Sequence, residues 1–221
     1  MPECRGRKGA RGIALLLTSL PVFAAAQNVP RSAEPSATAL HRIAGCLVRR
    51  DTRRASAFLA TAPTDSQARL LSDLGTALDE CAAEAGGEGQ QLRLSAGALR
   101  GPVAEAFFER DFSGWAPRSG RRPVPVYALT PPPAQVPRTR LLADMASCVA
   151  DAQPAGVLAL LAAQPGSAAE NQATAGLVST LGPCFRAGQT ADVTQAALRG
   201  LLAEAAYRRA VALSAARPTS G

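Results

Sequence analysis

The chain has 221 residues with 24 Lys and Arg against 17 Asp and Glu, a formal net charge of +7 and an isoelectric point near 9.9. Hydrophobic residues make up 47% of it but aromatics only 4%. Its helix contacts must therefore be thin and alanine-rich, each burying little area at about 25 cal/mol per Å². The sole lysine is Lys8, and few aromatics interleave with the arginines. We read the basicity as a coding bias, which argues against a stacking platform for nucleic acid.

At the start of the chain, Arg5, Arg7, Lys8 and Arg11 precede an apolar run, Ile13 to Phe23, and the small residues Ala24, Ala25 and Ala26. That pattern predicts a signal peptide over 1–26, cleaved before Gln27. The apolar run is about half the roughly 20 residues a spanning helix needs, so no transmembrane helix is expected after cleavage. Residues 1–26 hold four basic residues and one acidic residue, so the remainder carries 20 and 16, a net +4. Residues 27–36 are expected to be a flexible lead-in.

From residue 37 the chain reads as four helices to residue 112. The first spans 39–49 and carries Cys46. The run Arg49-Arg50-Asp51-Thr52-Arg53-Arg54 reads as a solvated turn before a short second helix over 54–60. Ser66 is placed to cap a third helix, whose Leu70, Leu74 and Leu78 share one face and which carries Cys81. Gly86, Gly87 and Gly89 read as a helix stop. The fourth helix carries ALRGPVAEAFFER, Ala98 to Arg110.

Residues 113–135 form a Pro/Gly/Arg-rich linker that also holds Trp115 and Tyr127, heavy aromatic loading for a connector. We expect a strap packed on the helices by these two rings. The pattern of the first half then returns over 136–216. Helices are predicted at 140–151 and 154–162, and a third starts after Ser167 and ends at Gly182-Pro183, before Cys184. The fourth carries ALRGLLAEAAYRR, Ala197 to Arg209, ninety-nine positions after its first appearance. Residues 217–221 are expected to fray.

The fold class is therefore all-α, as two tandem diverged copies of a roughly 70-residue four-helix unit joined by the strap. Of the four cysteines beyond the signal, Cys46 and Cys81 are 35 apart, and Cys148 and Cys184 are 36 apart. Four cysteines allow three pairings, and in an oxidising compartment one bond per unit is the simplest. Closing such a loop contributes about 4 kcal/mol in the chain-entropy model. No pair has the close spacing of a structural zinc site, so neither a metal nor any cofactor is expected.

The repeated phrase is apolar on two sides. Leu99, Val103, Ala106 and Phe107 make one face. Gly101, Ala104 and Phe108 make the other, matched by Gly200, Ala203 and Tyr207. A glycine kept twice inside a helix, where it costs about 1 kcal/mol against alanine, points to two fourth helices in close backbone approach. Arg100 and Arg199 fall at the edge between the faces, Glu105 and Glu204 toward the open side, and Arg110 and Arg209 toward the apolar side.

Arg100, Glu105, Arg199 and Glu204, with Trp115 and Tyr127, are the candidate binding residues. No GxGxxG, P-loop, HExxH or nucleophile elbow occurs, and the only histidine, His41, has no counterpart in the second copy and reads as a surface residue. The sequence points to an exported, non-enzymatic binding or scaffolding protein, periplasmic or secreted, whose partner is an envelope protein or polymer. The alternative is an envelope glycan hydrolase with Glu105 or Glu204 as general acid, which needs a raised pKa in an open groove.

Overall fold

The computed structural model describes residues 36–61, 67–86, 94–115, 138–185 and 192–215. The expected signal segment 1–26, Ser66, the side chain of Leu70, Gly87 and Gly89, Tyr127 and the tail lie outside the described residues. Among the described residues the chain is all-helical, with eight α-helices, one 3₁₀ turn and no strand. The helices are α1 (Ala37–Arg50), α2 (Thr52–Ala60), α3 (Gln67–Gly86), α4 (Ala96–Phe112), α5 (Arg138–Ala152), α6 (Pro154–Ala162), α7 (Ala168–Leu181) and α8 (Gln195–Ala215). All lie in one compact unit that runs from Arg31 to Gly221.

Short polar side chains start the helices. The hydroxyls of Ser36, Ser95, Ser167 and Thr194 accept the backbone N–H three residues on, at 3.1–3.2 Å, at the starts of α1, α4, α7 and α8. Asp51 serves two helices. Its N–H closes α1 onto the Leu47 carbonyl, and its carboxylate accepts the Arg54 N–H at 3.0 Å to open α2. At the matching corner Gln153 offers no side-chain cap, and Pro154 begins α6 instead. Gly182-Pro183-Cys184 tightens into a 3₁₀ turn at the end of α7, as the proline requires.

One feature departs from the sequence expectation. Gly75 takes φ +48° and ψ −133° and kinks α3, although the leucine spacing runs straight through it. Leu74 and Leu78 on either side of the kink are still buried. Pro102 sits inside α4 without ending it, despite lacking the N–H that the helix would use there.

Two apolar clusters fill the molecule. In the first, Ile43, Leu47, Phe58, Leu74, Leu99 and Phe107 bring α1 to α4 together. In the second, Met145, Val149, Leu160, Leu177 and Leu202 do the same for α5 to α8. Each cluster has one disulfide beside it, Cys46–Cys81 and Cys148–Cys184, the pairing expected from the spacing. Phe108 leaves its own helix group to join the second cluster, and Tyr207 packs against both.

The clusters meet where α4 lies on α8, the most extensive helix contact in the structure. Gly101 faces Gly200 so closely that a Cβ built on Gly101 would stand 2.2 Å from the Gly200 Cα. A Cβ on Gly200 would stand 3.1 Å from the Gly101 Cα. Ala104 and Ala203, three positions on from each glycine, are fully buried beside them. No side chain separates the two backbones at the crossing.

Candidate functional site

Each copy of the phrase places an arginine immediately before its glycine and a glutamate four positions after it. Because the backbones touch at the glycines, these charges are carried into the seam between the helices. The sequence expectation that Glu105 and Glu204 lie toward the open side is corrected here, since they are 1% and 7% exposed. Arg100 and Arg199 are 4% and 2% exposed. Charges this deep must be paired, and they are paired crosswise.

Arg100 on α4 grips Glu204 on α8, with Nε 2.8 Å from Oε2 and Nη2 2.7 Å from Oε1. Arg199 on α8 grips Glu105 on α4, with Nε 3.0 Å from Oε2 and Nη2 on Oε1. Both are two-pronged contacts suited to the planar guanidinium. The remaining N–H groups cap helices. Arg100 donates to the carbonyls of Phe58 and Leu59 at 2.9 and 2.8 Å. Arg199 donates to those of Leu160 and Leu161 at 2.8 and 3.1 Å. These carbonyls belong to the last turns of α2 and α6, where the regular helical bonding runs out and a cation is favoured; Leu160 also accepts the Ala163 N–H at 3.2 Å. One arginine thus joins three helices.

The two halves of this centre differ in their second cation. Glu204 receives Arg208, one turn further along α8, at 2.9 Å, and Arg208 also donates to the Leu59 carbonyl at 2.6 Å. Glu105 instead receives His41 of α1, whose Nε2 lies 2.7 Å from Oε2 while its Nδ1 lies 2.8 Å from the Ala37 carbonyl. Both ring nitrogens face acceptors, an arrangement that favours the doubly protonated ring. Burial opposes that charge, but the hydrogen bond and charge of Glu105 and the Ala37 carbonyl outweigh it and raise the His41 pKa above 6.5. Burial likewise opposes the Glu105 carboxylate. The hydrogen bonds and charges of His41 and Arg199 prevail and hold its pKa below 4.5. Arg199 has a further anion, Glu170 of α7, at 3.1 Å.

Sequence reasoning missed His41, Glu170 and Arg208. None has a chemically similar residue at the matching place in the other half, so comparing the halves could not flag them. His41 is half-buried rather than a surface residue. Arg209 is buried against Asp151 of α5, as its apolar-side placement suggests. Arg110 is not: it is exposed, pairs with Asp111 and lies over the Phe107 ring at 4.7 Å. Arg50 and Arg54 of the basic turn pair with Glu80, Glu84 and Asp51 at the surface. Trp115 meets Phe108 edge-on at 5.8 Å and packs on the second cluster. Tyr127 lies outside the described residues.

A cleft of about 300 Å³ opens beside the centre, bounded by His41, Pro102, Glu105, Glu109, Arg199 and the segment from Leu161 to Pro165. A broader concavity of about 500 Å³ between α6 and α7 carries no titratable side chain. Among the described residues no group of His, Cys, Asp or Glu is placed to hold a metal ion. No single helix among them is long and apolar enough to cross a membrane. Comparison of the chain with family models, with curated proteins and with solved structures finds no match.

Proposed function

We propose that this chain is an exported, non-enzymatic helical protein that acts as a binding or scaffolding component of the cell envelope, built from two diverged copies over 37–112 and 136–216. The observation that carries the reading is the use made of the repeated phrase. Arg100, Arg199, Glu105 and Glu204, charges that both copies of the phrase place alike, are all engaged in joining helices. A general acid must hold a proton at working pH, and Glu105 sits below the ordinary carboxylate range beneath two cations. The two disulfides suit an oxidising compartment, where the leader over 1–26 would deliver the chain.

Fractionation of cells making a C-terminally tagged protein tests the export half of this reading. The expected product lies in the envelope or medium, begins at Gln27 and has no free thiols. A reduced, full-length protein confined to the cytosol would overturn it. The non-enzymatic half is tested with purified protein on cell-wall glycan. A release activity that falls a hundredfold in Glu105→Gln or Glu204→Gln, a change of about 2.7 kcal/mol in barrier, would establish the hydrolase instead.

A further inference from the structure

The cleft beside Glu105 has a matching corner on the other side of the seam, and that corner is filled. There the guanidinium of Arg208 bridges Glu204 and the Leu59 carbonyl at the end of α2. A carbonyl oxygen can accept two hydrogen bonds, and Leu59 takes one from Arg100 and one from Arg208. Leu161, its counterpart at the end of α6, takes one from Arg199. The residue ninety-nine positions before Arg208 is Glu109, so the arm that fills one corner is replaced in the other by a carboxylate. Glu109 is exposed at the cleft rim and makes no ion pair or hydrogen bond among the described residues.

We propose that this cleft is a binding site for a guanidinium group, an arginine-type side chain that enters between Glu109 and the Leu161 carbonyl. The site reproduces with an incoming ligand what Arg208 does within the chain. The cations already lining it do not occupy that position. His41 is turned onto Glu105 and the Ala37 carbonyl, and Arg199 onto Glu105, Glu170 and the carbonyls of Leu160 and Leu161. His41 therefore replaces Arg208 at the glutamate and leaves the second place on the carbonyl. Glu109 supplies an anion at the rim, and burial together with the nearby Glu105 charge raises its pKa above 4.5, a strain that a cation relieves. The cleft, at about 300 Å³, is large enough for one side chain and too small for a folded element. This inference deepens the binding reading and rests on it, but it is tested separately from export.

His41 is the only histidine, so its ring proton signals report on the cleft without assignment of the rest of the protein. The probes are N-acetyl-arginine amide, its neutral isostere N-acetyl-citrulline amide, and free arginine, each titrated into the full mature chain. The expected result is a saturable shift of the His41 signals with the arginine amide, and binding at least about tenfold weaker for citrulline, as loss of a charge-assisted contact implies. Glu109→Gln should weaken the arginine amide by about the same factor. Glu109→Arg should fill the cleft as Arg208 fills its twin, abolishing binding with an unchanged or higher melting midpoint. Tighter binding of the amide than of free arginine identifies an arginine within a polypeptide as the source, and the reverse order identifies a free guanidino compound. No saturable shift, equal shifts from citrulline, or full binding by folded Glu109→Arg protein would each overturn the site.

Discussion

A guanidinium and a carboxylate taken out of water together are each held in place by the other, and removal of either leaves a bare buried charge. That loss costs about 3–5 kcal/mol, whereas replacing both with apolar groups of similar volume is often near neutral. Arg100 and Glu204 lie deep enough for this to apply. We expect Glu204→Leu, which strands the buried Arg100, to lower the unfolding free energy by about 3–5 kcal/mol in urea. Arg100→Met should lower it by less because Arg208 still pairs with Glu204, and the double variant should regain much of the Glu204→Leu loss. Additive losses would show that the two side chains do not act as a pair. The His41–Glu105 contact adds a pH signature. His41 has a raised pKa in the fold, so its contribution is fully present below 6.5 and is lost as pH rises through the folded value. Glu105 has a depressed pKa, so its contribution is present above 4.5 and is lost as pH falls through the folded value. The gap in urea midpoint between the parent and His41→Ala should be widest between those limits and should shrink above pH 6.5. A gap that holds constant to pH 9 would mean that His41 contributes packing alone.

Among the helices, the crossing of α4 and α8 gives the sharpest test because propensity and packing predict opposite signs. Alanine is the better helix former by about 1 kcal/mol, so on an open face Gly101→Ala should stabilise. At this crossing the new methyl group meets backbone at 2.2 Å, which no rotamer change relieves. The helices must separate, and we expect a loss of at least the roughly 1–3 kcal/mol typical of overpacking. Gly200→Ala meets backbone only at 3.1 Å and should lose less. Equal or raised melting midpoints for both variants would contradict the close approach. This crossing was legible in the sequence because a repeated glycine inside an amphipathic phrase has few other physical causes. The crossed ion pairs were legible only as residue types. A helical wheel assigns Glu105 a direction but cannot reveal that the neighbouring helix arrives there with an arginine. The kink at Gly75 was hidden because the leucine spacing runs straight through it.

Across the whole molecule, each disulfide closes a loop within its own half, while the two crossed arginine–glutamate pairs of the seam span the halves. Arg100 and Glu204 are 104 positions apart, and Arg199 and Glu105 are 94 apart. We therefore expect the halves, each stapled by its own disulfide, to depend on one another to fold. We expect a fragment of residues 27–115 with its disulfide formed to lack a cooperative thermal transition when alone. Mixing it with residues 136–221 should restore one, because each fragment supplies the counter-charge that the other buries. Two independent cooperative transitions from the separate fragments would contradict the dependence. Peptide mapping without reductant should recover Cys46 with Cys81 and Cys148 with Cys184. Reduction should lower the midpoint of the intact chain by an amount consistent with about 4 kcal/mol per closed loop.

The order in which the chain is made gives the crossed pairs a history. Arg100 leaves the ribosome 104 residues before the glutamate that neutralises it, an interval of about 5–20 s at ordinary rates of synthesis. Throughout that time the first half carries Arg100, Gly101 and Glu105 without the α8 helix that covers them in the fold. The same seam on a neighbouring nascent molecule carries the same letters, Arg100 before Gly101 and Glu105 after it. Because the two phrases share Arg, Gly and Glu at the same spacing, a first half meets the same pattern on a neighbour's first half as on its own second half, and we expect crowding during synthesis to favour mispaired dimers.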